Sequence, residues 1–364
     1  MTIPFLDLAA AAAEERAELD AIWARFLESG RYILGPEVEA FEAAFARYCG
    51  AAEGVGTGNG LDALAIALEA AGVGPGDEVL VPAHTFIATW LAVRMVGATP
   101  VPAEPEAGGY NAGAEDFAAA LTERTRAIVP VHLYGEVAPM AGILQLAEAH
   151  GLTVIEDAAQ AHGAERDGGR AGSFGRAAAF SFYPAKNLGA LGDGGALVTS
   201  DAGLAAQARR LRNYGSERKY EHDEAGRNSR LDPLQAMILS MRLARLDAAN
   251  SARRAIAARY REGLAGIDGL ALPEGAGAPV WHLYVVRAAE RDRLAAHLEG
   301  EGVQTQIHYP RPVYRFPPFA GAGPAAGSPA DRLCGEILSL PIGPHQSEAQ
   351  TEAVIAAVRG FYGG

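Results

Sequence analysis

Cysteine is scarce in this chain. Cys49 and Cys334 are the only two in 364 residues and have no paired spacing, which excludes a disulfide-stapled module and argues against zinc or redox motifs. That usage predicts a reducing compartment, the cytoplasm, and no metal is expected. Positive charge is scarce too: 31 Lys and Arg stand against 44 Asp and Glu, a net charge of −13, so no nucleic-acid partner driven by counterion release is expected. Long apolar runs are missing. The longest uncharged apolar stretch, 79–93, is about 15 residues against the roughly 20 that span a bilayer, and it contains Pro82 and His84, so no membrane segment is expected. Residues 1–8 carry no basic region ahead of an apolar run and do not read as a secretory signal.

At roughly 100–200 residues per domain, the length predicts two domains. The 44 glycines are spread without a period, which signals many tight turns rather than collagen or a linker, and no internal repeat is found. From about residue 53 to 200, β-prone runs (78–82, 127–132, 152–156) alternate with helix-like stretches such as 141–150. Such alternation predicts an α/β fold, a mostly parallel sheet flanked by helices, with ligands beyond the carboxyl ends of its strands. Runs 177–183 and 194–199 read as two further buried strands separated by a Gly-rich turn. From Asp232 to about Gly266 the pattern is helical, with Leu231, Leu234, Ile238 and Met241 three to four apart. Short strands at 281–287 and 303–308 around a helix predict a smaller C-terminal α/β domain. The expected boundary gives a large domain over 1–245 and a small one over 246–364.

Four segments carry chemistry. In 180–195, Phe-Ser-Phe-Tyr-Pro-Ala-Lys-Asn-Leu-Gly-Ala-Leu-Gly-Asp-Gly-Gly, Ser181 and Tyr183 face away from Phe180 and Phe182, and Pro184 turns Lys186 out at the strand terminus, where an amine can form a Schiff base. Glycines 189, 192, 194 and 195 let the backbone or a flat cofactor come close. Alone, a lysine in such a loop is more often merely solvated. In 154–163 a buried strand ends in two carboxylates, and Asp157, read as the first residue beyond it, is suited to a cationic ring nitrogen or, alternatively, to a helix N-cap. Gln160 and His162 would line the same rim, or satisfy loop carbonyls. In 54–64 a Gly-rich turn runs into an amphipathic helix, so that the N–H groups of Gly60 and Leu61 suit a phosphate, although neither the P-loop nor the dinucleotide fingerprint is matched. In 82–89, Phe86 opens the next helix and offers a ring face to a planar heterocycle, unless it packs in the core. A lysine amine, a carboxylate, a phosphate cradle and a stacking ring on successive strand ends are the needs of pyridoxal 5'-phosphate (PLP).

These segments, with 5–8 (Phe-Leu-Asp-Leu), 212–215 (Arg-Asn-Tyr-Gly), 228–236 (Asn-Ser-Arg-Leu-Asp-Pro-Leu-Gln-Ala) and 339–345 (Ser-Leu-Pro-Ile-Gly-Pro-His), resemble the DegT family of PLP-dependent nucleotide-sugar aminotransferases, fold type I, over nearly the whole chain. The resemblance implies that Lys186 is the Schiff-base lysine, Asp157 the partner of the pyridine nitrogen and Gln160 the contact to the ring hydroxyl. It implies that Ser181 and the Gly60 and Leu61 amides hold the phosphate while Phe86 stacks on the ring. Asn228 is implied to reach the phosphate of the neighbouring subunit's cofactor, making a homodimer with shared active sites. The cofactor would cycle between PLP and pyridoxamine 5'-phosphate (PMP), with glutamate as donor, Lys186 as general base and acid, and Asp157 keeping the ring nitrogen protonated.

The implied acceptor is a nucleotide-linked ketosugar. Its diphosphate needs positive charge, and Arg212, Arg218, Lys219, Arg230 and Arg311 lie around the motifs expected to face the site, Lys219 being the one chosen. Segment 303–314 resembles the His-Tyr-Pro form of enzymes that aminate C3 of dTDP-3-keto-6-deoxyhexoses, which implies that His308, Tyr309 and Tyr183 contact the sugar nucleotide. A 4-keto or UDP-linked sugar, a PLP-dependent aminodehydratase and a PLP-binding regulator are the alternatives. One departure from the family is that 102–111 stands where an Asp-Val-Asp type of run is usual.

Overall fold

Period-two burial builds the main sheet. The computed structural model describes residues 2–105, 109–218 and 220–363. Its strands in chain order begin with β1 (Glu53–Thr57), β2 (Glu78–Pro82), β3 (Thr99–Ala103), β4 (Thr125–Ile128) and β5 (Thr153–Asp157). A short ribbon, β6 (Glu165–Arg166) and β7 (Gly169–Arg170), precedes β8 (Ala177–Ser181) and β9 (Gly195–Thr199). Seven of these form one sheet in the order β1-β9-β8-β5-β4-β2-β3. Along β2, Val79 and Val81 enter one core and Leu80 the other, and all five residues are buried, as expected for a strand covered on both faces.

The pairs from β3 across to β8 are parallel, and β9 runs antiparallel to both β8 and β1. All strands but β9 therefore end at the same edge. Thr57, Pro82, Asp157 and Ser181 stand along it, and Gly195, which opens β9, pairs with Thr57 on one side and Ser181 on the other. This edge lies where ligands bind in sheets of this kind.

A second sheet of β10 (Leu270–Ala271), β11 (Tyr284–Ala288) and β12 (Ile337–Leu340) is antiparallel. Its core joins Tyr284 and Leu338 to Tyr260 and Leu264 of helix Leu246–Leu264, Leu298 of helix Arg291–Gly300 and Val354 of helix Glu348–Gly363. Ile3 from the N-terminal segment enters this core, whereas Val313, Tyr314 and Phe319 pack into the core of the main sheet near Trp90.

Several expected elements are corrected. Asp157 is the last residue of β5, because its N–H donates to Pro130 O and its carbonyl accepts from His132 N–H, which extends the pairing by one residue. The run 303–308 forms no strand: Ile3 bridges Val303 while Gln306 bridges Ser339, so its hydrogen bonds go to two different partners and no ladder builds. The helical stretch 232–266 is two helices, Pro233–Leu243 and Leu246–Leu264; Ala236, Leu239 and Leu246 pack on the core of the main sheet, and Ile256 and Leu264 of the second helix pack on the C-terminal core. Within 102–111, residues 106–108 lie outside the described ones. Flanking them, Glu104 accepts from Tyr314 Oη at 2.7 Å and Ala330 N–H at 2.9 Å, tying this loop to the C-terminal half. Among the described residues no helix is long and apolar enough to cross a membrane, and no group of side chains could hold a metal ion.

Candidate active site

Lys186 sits on the turn between β8 and β9. Its N–H donates to Tyr183 O at 2.8 Å, and Ala190 N–H donates to Phe182 O at 2.7 Å, closing the loop beneath it. Burial lowers the amine's pKa to about 8, and the negative charge of Asp157 opposes part of that shift. Lys186 is partly buried, and an amine with its pKa lowered this far releases its proton near neutrality, as a nucleophilic or proton-shuttling amine must.

Asp157 is buried at the end of β5. Its Oδ2 accepts from Thr89 Oγ1 at 2.7 Å and its Oδ1 from Ala159 N–H at 3.2 Å. Burial raises its pKa while these two donors and the Lys186 charge pull it down. The helix N-cap alternative fails, since Asp157 caps no helix. The adjacent Glu156 points to the other face and is fully used in the structure: it accepts from Gly172 N–H at 2.8 Å, Phe174 N–H at 2.9 Å and Gly175 N–H at 2.8 Å and pairs with His132 Nε2 at 2.8 Å. Of the two carboxylates, Asp157 alone serves the cleft.

The expected phosphate cradle is built by close backbone approach. A Cβ on Gly60 would lie 2.6 Å from Ser181 Cβ, and one on Gly195 would lie 2.6 Å from Gly60 N, so loop and strand ends meet only because both are glycine. Gly60 begins helix Gly60–Ala70, whose cap Asn59 accepts from Asp62 N–H at 2.8 Å; the first-turn amides of Gly60 and Leu61 have no intrahelical acceptor by helix geometry. Ser181 Oγ accepts from Tyr183 N–H at 3.3 Å and keeps its own proton to donate. Phe86 caps helix Ile87–Met95 and is 52% exposed, which overturns the core-packing alternative and leaves a ring face open.

Gln160 is buried, its Oε1 accepting from Tyr134 N–H at 2.7 Å and its Nε2 donating to Tyr309 Oη at 3.0 Å. The Tyr309 ring lies 5.4 Å from that of Phe86, so Gln160, Phe86 and Tyr309 form one wall. Burial pushes the Tyr309 phenol above its ordinary value, and it stays protonated. His308 bonds Ser339 Oγ through Nδ1 at 2.9 Å, and burial lowers its pKa to about 4. Tyr183 is 56% exposed at the mouth. Asn228 is exposed, and the neighbouring Ser229 hydroxyl accepts from Gly58 N–H at 3.0 Å and donates to Asp62 Oδ2 at 2.6 Å, fixing this segment to the cradle.

Lys219 lies outside the described residues. Arg212 does not supply free charge: it is buried, paired with Glu42 and bonded to Gly56 O at 2.6 Å, so its charge is spent inside the fold. Sequence reasoning missed Thr89, although it ends the quoted run 82–89; its spacing from Phe86 along one helix was the available signal. Tyr134 and His84 were missed too. His84 Nε2 bonds Tyr134 Oη at 2.7 Å behind Tyr309.

The set fits PLP on its chemistry: an amine, a buried carboxylate, a hydroxyl with amides at a helix N-terminus, and an open ring face, converging on one sheet edge. The comparisons agree. Residues 13–359 match the DegT/DnrJ/EryC1/StrS aminotransferase family. The dTDP-3-amino-3,4,6-trideoxy-alpha-D-glucose transaminase of Streptomyces venezuelae is 54% identical over 98% of this chain and 95% of its own. The erythromycin biosynthesis sensory transduction protein EryC1 of Saccharopolyspora erythraea is 52% identical over 99% of each. Among solved structures, S. venezuelae DesV superposes with a TM-score of 0.97 at 54% identity, covering 99% of this chain and 98% of that one. Bacillus subtilis NtdA with bound cofactor PMP superposes with a TM-score of 0.94 at 29% identity, over 100% of this chain and 86% of that one. The chain belongs to the DegT/DnrJ/EryC1/StrS aminotransferase family, whose members are PLP-dependent enzymes.

Proposed function

We propose that this aminotransferase moves an amino group from glutamate to C3 of a dTDP-3-keto-6-deoxyhexose. The observation that carries the reading is the convergence of Lys186, Asp157, Ser181, Gly60 and Phe86 on one sheet edge in a chain 54% identical to a transaminase of a dTDP-linked 3-amino sugar. Bound PLP supplies an electron sink for the bond-breaking step. Lys186 would hold the cofactor through its amine and would serve as the proton carrier at the reacting carbon; in the cofactor-free protein burial lowers this amine to about 8, which suits a group that must take and return a proton near neutral pH. Asp157, held as a carboxylate by Thr89 and Ala159 against its burial, keeps the ring nitrogen protonated. Gly60, Leu61 and Ser181 would hold the phosphate, Phe86 would lie against the ring and Gln160 would meet the ring hydroxyl. Tyr183, Lys219, His308 and Tyr309 take the sugar nucleotide.

The same reading makes the protein a homodimer in which Asn228 serves the partner's site. Exposed Trp23, Leu27, Tyr32 and Ile33 near Phe26 support this, because so much apolar surface on one segment suits a subunit interface. We divide the chain into a large domain, 1–245, and a small domain, 246–364, and assign it to the cytoplasm, where its two free, buried cysteines stay reduced.

The test is formation of 2-oxoglutarate from glutamate by the PLP-loaded protein. Formation dependent on a dTDP-3-keto-6-deoxyhexose is expected. Formation only with a 4-keto or UDP-linked sugar overturns the acceptor and keeps the class. None with any ketosugar overturns the enzyme reading in favour of a regulator.

A further inference from the structure

The residue after Lys186 uses every polar atom of its side chain. Asn187 Nδ2 donates to Asn250 Oδ1 and to Val280 O, both at 2.9 Å, and Asn187 Oδ1 lies 3.2 Å from His282 Nδ1. Asn250 sits in helix Leu246–Leu264, and Val280 and His282 precede β11, so Asn187 ties the Lys186 turn to two separate parts of the C-terminal half. Asn250, Val280 and His282 are all buried. Asn250 extends the chain of bonds by donating through Nδ2 to His162 O at 2.9 Å, which brings in the segment just beyond Asp157.

This network fixes more than position. With both Nδ2 protons engaged by acceptors, the Asn187 amide has one orientation, and its Oδ1 can only accept. His282 must then carry its proton on Nδ1, leaving Nε2 a lone pair. The imidazole stays neutral, because burial and the charges of Lys186 and Arg253, with the neighbouring His308 and His162, push its pKa well down. His162 is fully buried among Phe45, Phe180 and Phe182, and among the described residues neither of its ring nitrogens has a partner. Lys186 is itself partly buried, and the histidines around it, His162, His282 and His308, are all held neutral, which leaves Asp157 as the charge acting on the amine.

We propose that Asn187 is a positioning residue for Lys186: through Asn250, Val280 and His282 it holds the turn so that the amine stays in its partly buried place beside Asp157. Asn187 touches neither substrate nor cofactor in this role. The proposal rests on the reading of Lys186 as the reacting amine, but its test does not need turnover. Lys186 and Lys219 are the chain's only lysines, so the titration of one amine can be followed cleanly.

The experiment is trace acetylation of the full-length, cofactor-free protein across pH 6 to 11, with the Lys186 peptide quantified by mass spectrometry against the Lys219 peptide. The wild-type Lys186 midpoint is expected near 8. In Asn187→Ala and Asn250→Ala, water reaches the amine and the midpoint rises by about one pH unit, while circular dichroism and the Lys219 midpoint stay as in wild type. Asn187→Asp, which keeps the acceptor toward His282 but loses both donors and adds negative charge, raises it at least as far. A Lys186 midpoint unchanged in the folded variants overturns the proposal. Should Asn187→Ala not fold, Asn250→Ala decides alone, since it removes one of Asn187's two acceptors and leaves the His282 bond. A wild-type midpoint near 8 with no ketosugar turnover would sink the function and leave this proposal standing.

Discussion

Placing the Lys186 amine in a partly buried site costs stability. In the cofactor-free protein the Lys186 pKa is about 8 against 10.5 for an ordinary lysine. The difference of about 2.5 units corresponds to about 3 kcal/mol. Between pH 8 and 10.5 the unfolded chain binds more protons at this group than the folded chain does, so folding stability rises with pH across that window. Below pH 8 the full cost of burying an ammonium is present, and above 10.5 it is gone. Lys186→Met keeps the volume and removes the charge. It should gain on wild type by up to about 3 kcal/mol at pH 7, about 4 °C in melting temperature for a chain of this size, with the advantage vanishing by pH 10.5. The attraction between Lys186 and Asp157 is already contained in the pKa of about 8, since Asp157 raises it against burial, and wild type loses that attraction too once the amine is neutral. The change in the gap with pH therefore reports the lysine. The assay is thermal unfolding of both cofactor-free proteins at matched concentration from pH 6.5 to 10.5. A gap that does not narrow as pH rises would refute the buried, dehydrated amine.

Three further outcomes follow from the site geometry. Thr89→Val removes the hydroxyl that donates to Asp157 Oδ2, so the carboxylate protonates at higher pH; the acid limb of the kcat/KM profile should move up by about one unit, and an unmoved limb contradicts the role of Asp157. Gly60→Ala places a methyl 2.6 Å from Ser181 Cβ and should weaken PLP binding at least about tenfold in an absorbance titration, because the cradle must open; unchanged affinity means that the phosphate sits elsewhere. Arg212→Met strands the buried Glu42 carboxylate and should cost about 3 kcal/mol in denaturant unfolding, whereas a free surface arginine would cost almost nothing.

The segments that end strands were legible because chain order and strand polarity are local: an apolar run, then a turn, then a functional side chain. Lys186 and Phe86 follow that pattern, Gly60 opens the helix after its turn, Asp157 and Ser181 end their strands, and the mostly parallel sheet brings them to one edge. Residues defined by distant partners were not legible. Asn187 meets Asn250 and His282 across 63 and 95 positions, and Arg212 finds Glu42 across 170, so a charge in a loop motif looks solvated until the fold buries it. Glu156 and Asp157 are alike in sequence; only the direction of each side chain from β5 separates the structural carboxylate from the one in the cleft. The run 303–308 alternates like a strand, yet its hydrogen bonds divide between Ile3 and Ser339, which no local pattern records.

The most direct test of the central claim is an absorbance spectrum of the purified protein with PLP, recorded before and after glutamate and again after a dTDP-3-keto-6-deoxyhexose. The proposed function predicts a visible band from cofactor linked to Lys186 that bleaches with glutamate and returns with the ketosugar, and no such band in Lys186→Met. Bleaching without return would contradict the acceptor. The same visible band in Lys186→Met, or none in the wild type, would contradict the site itself.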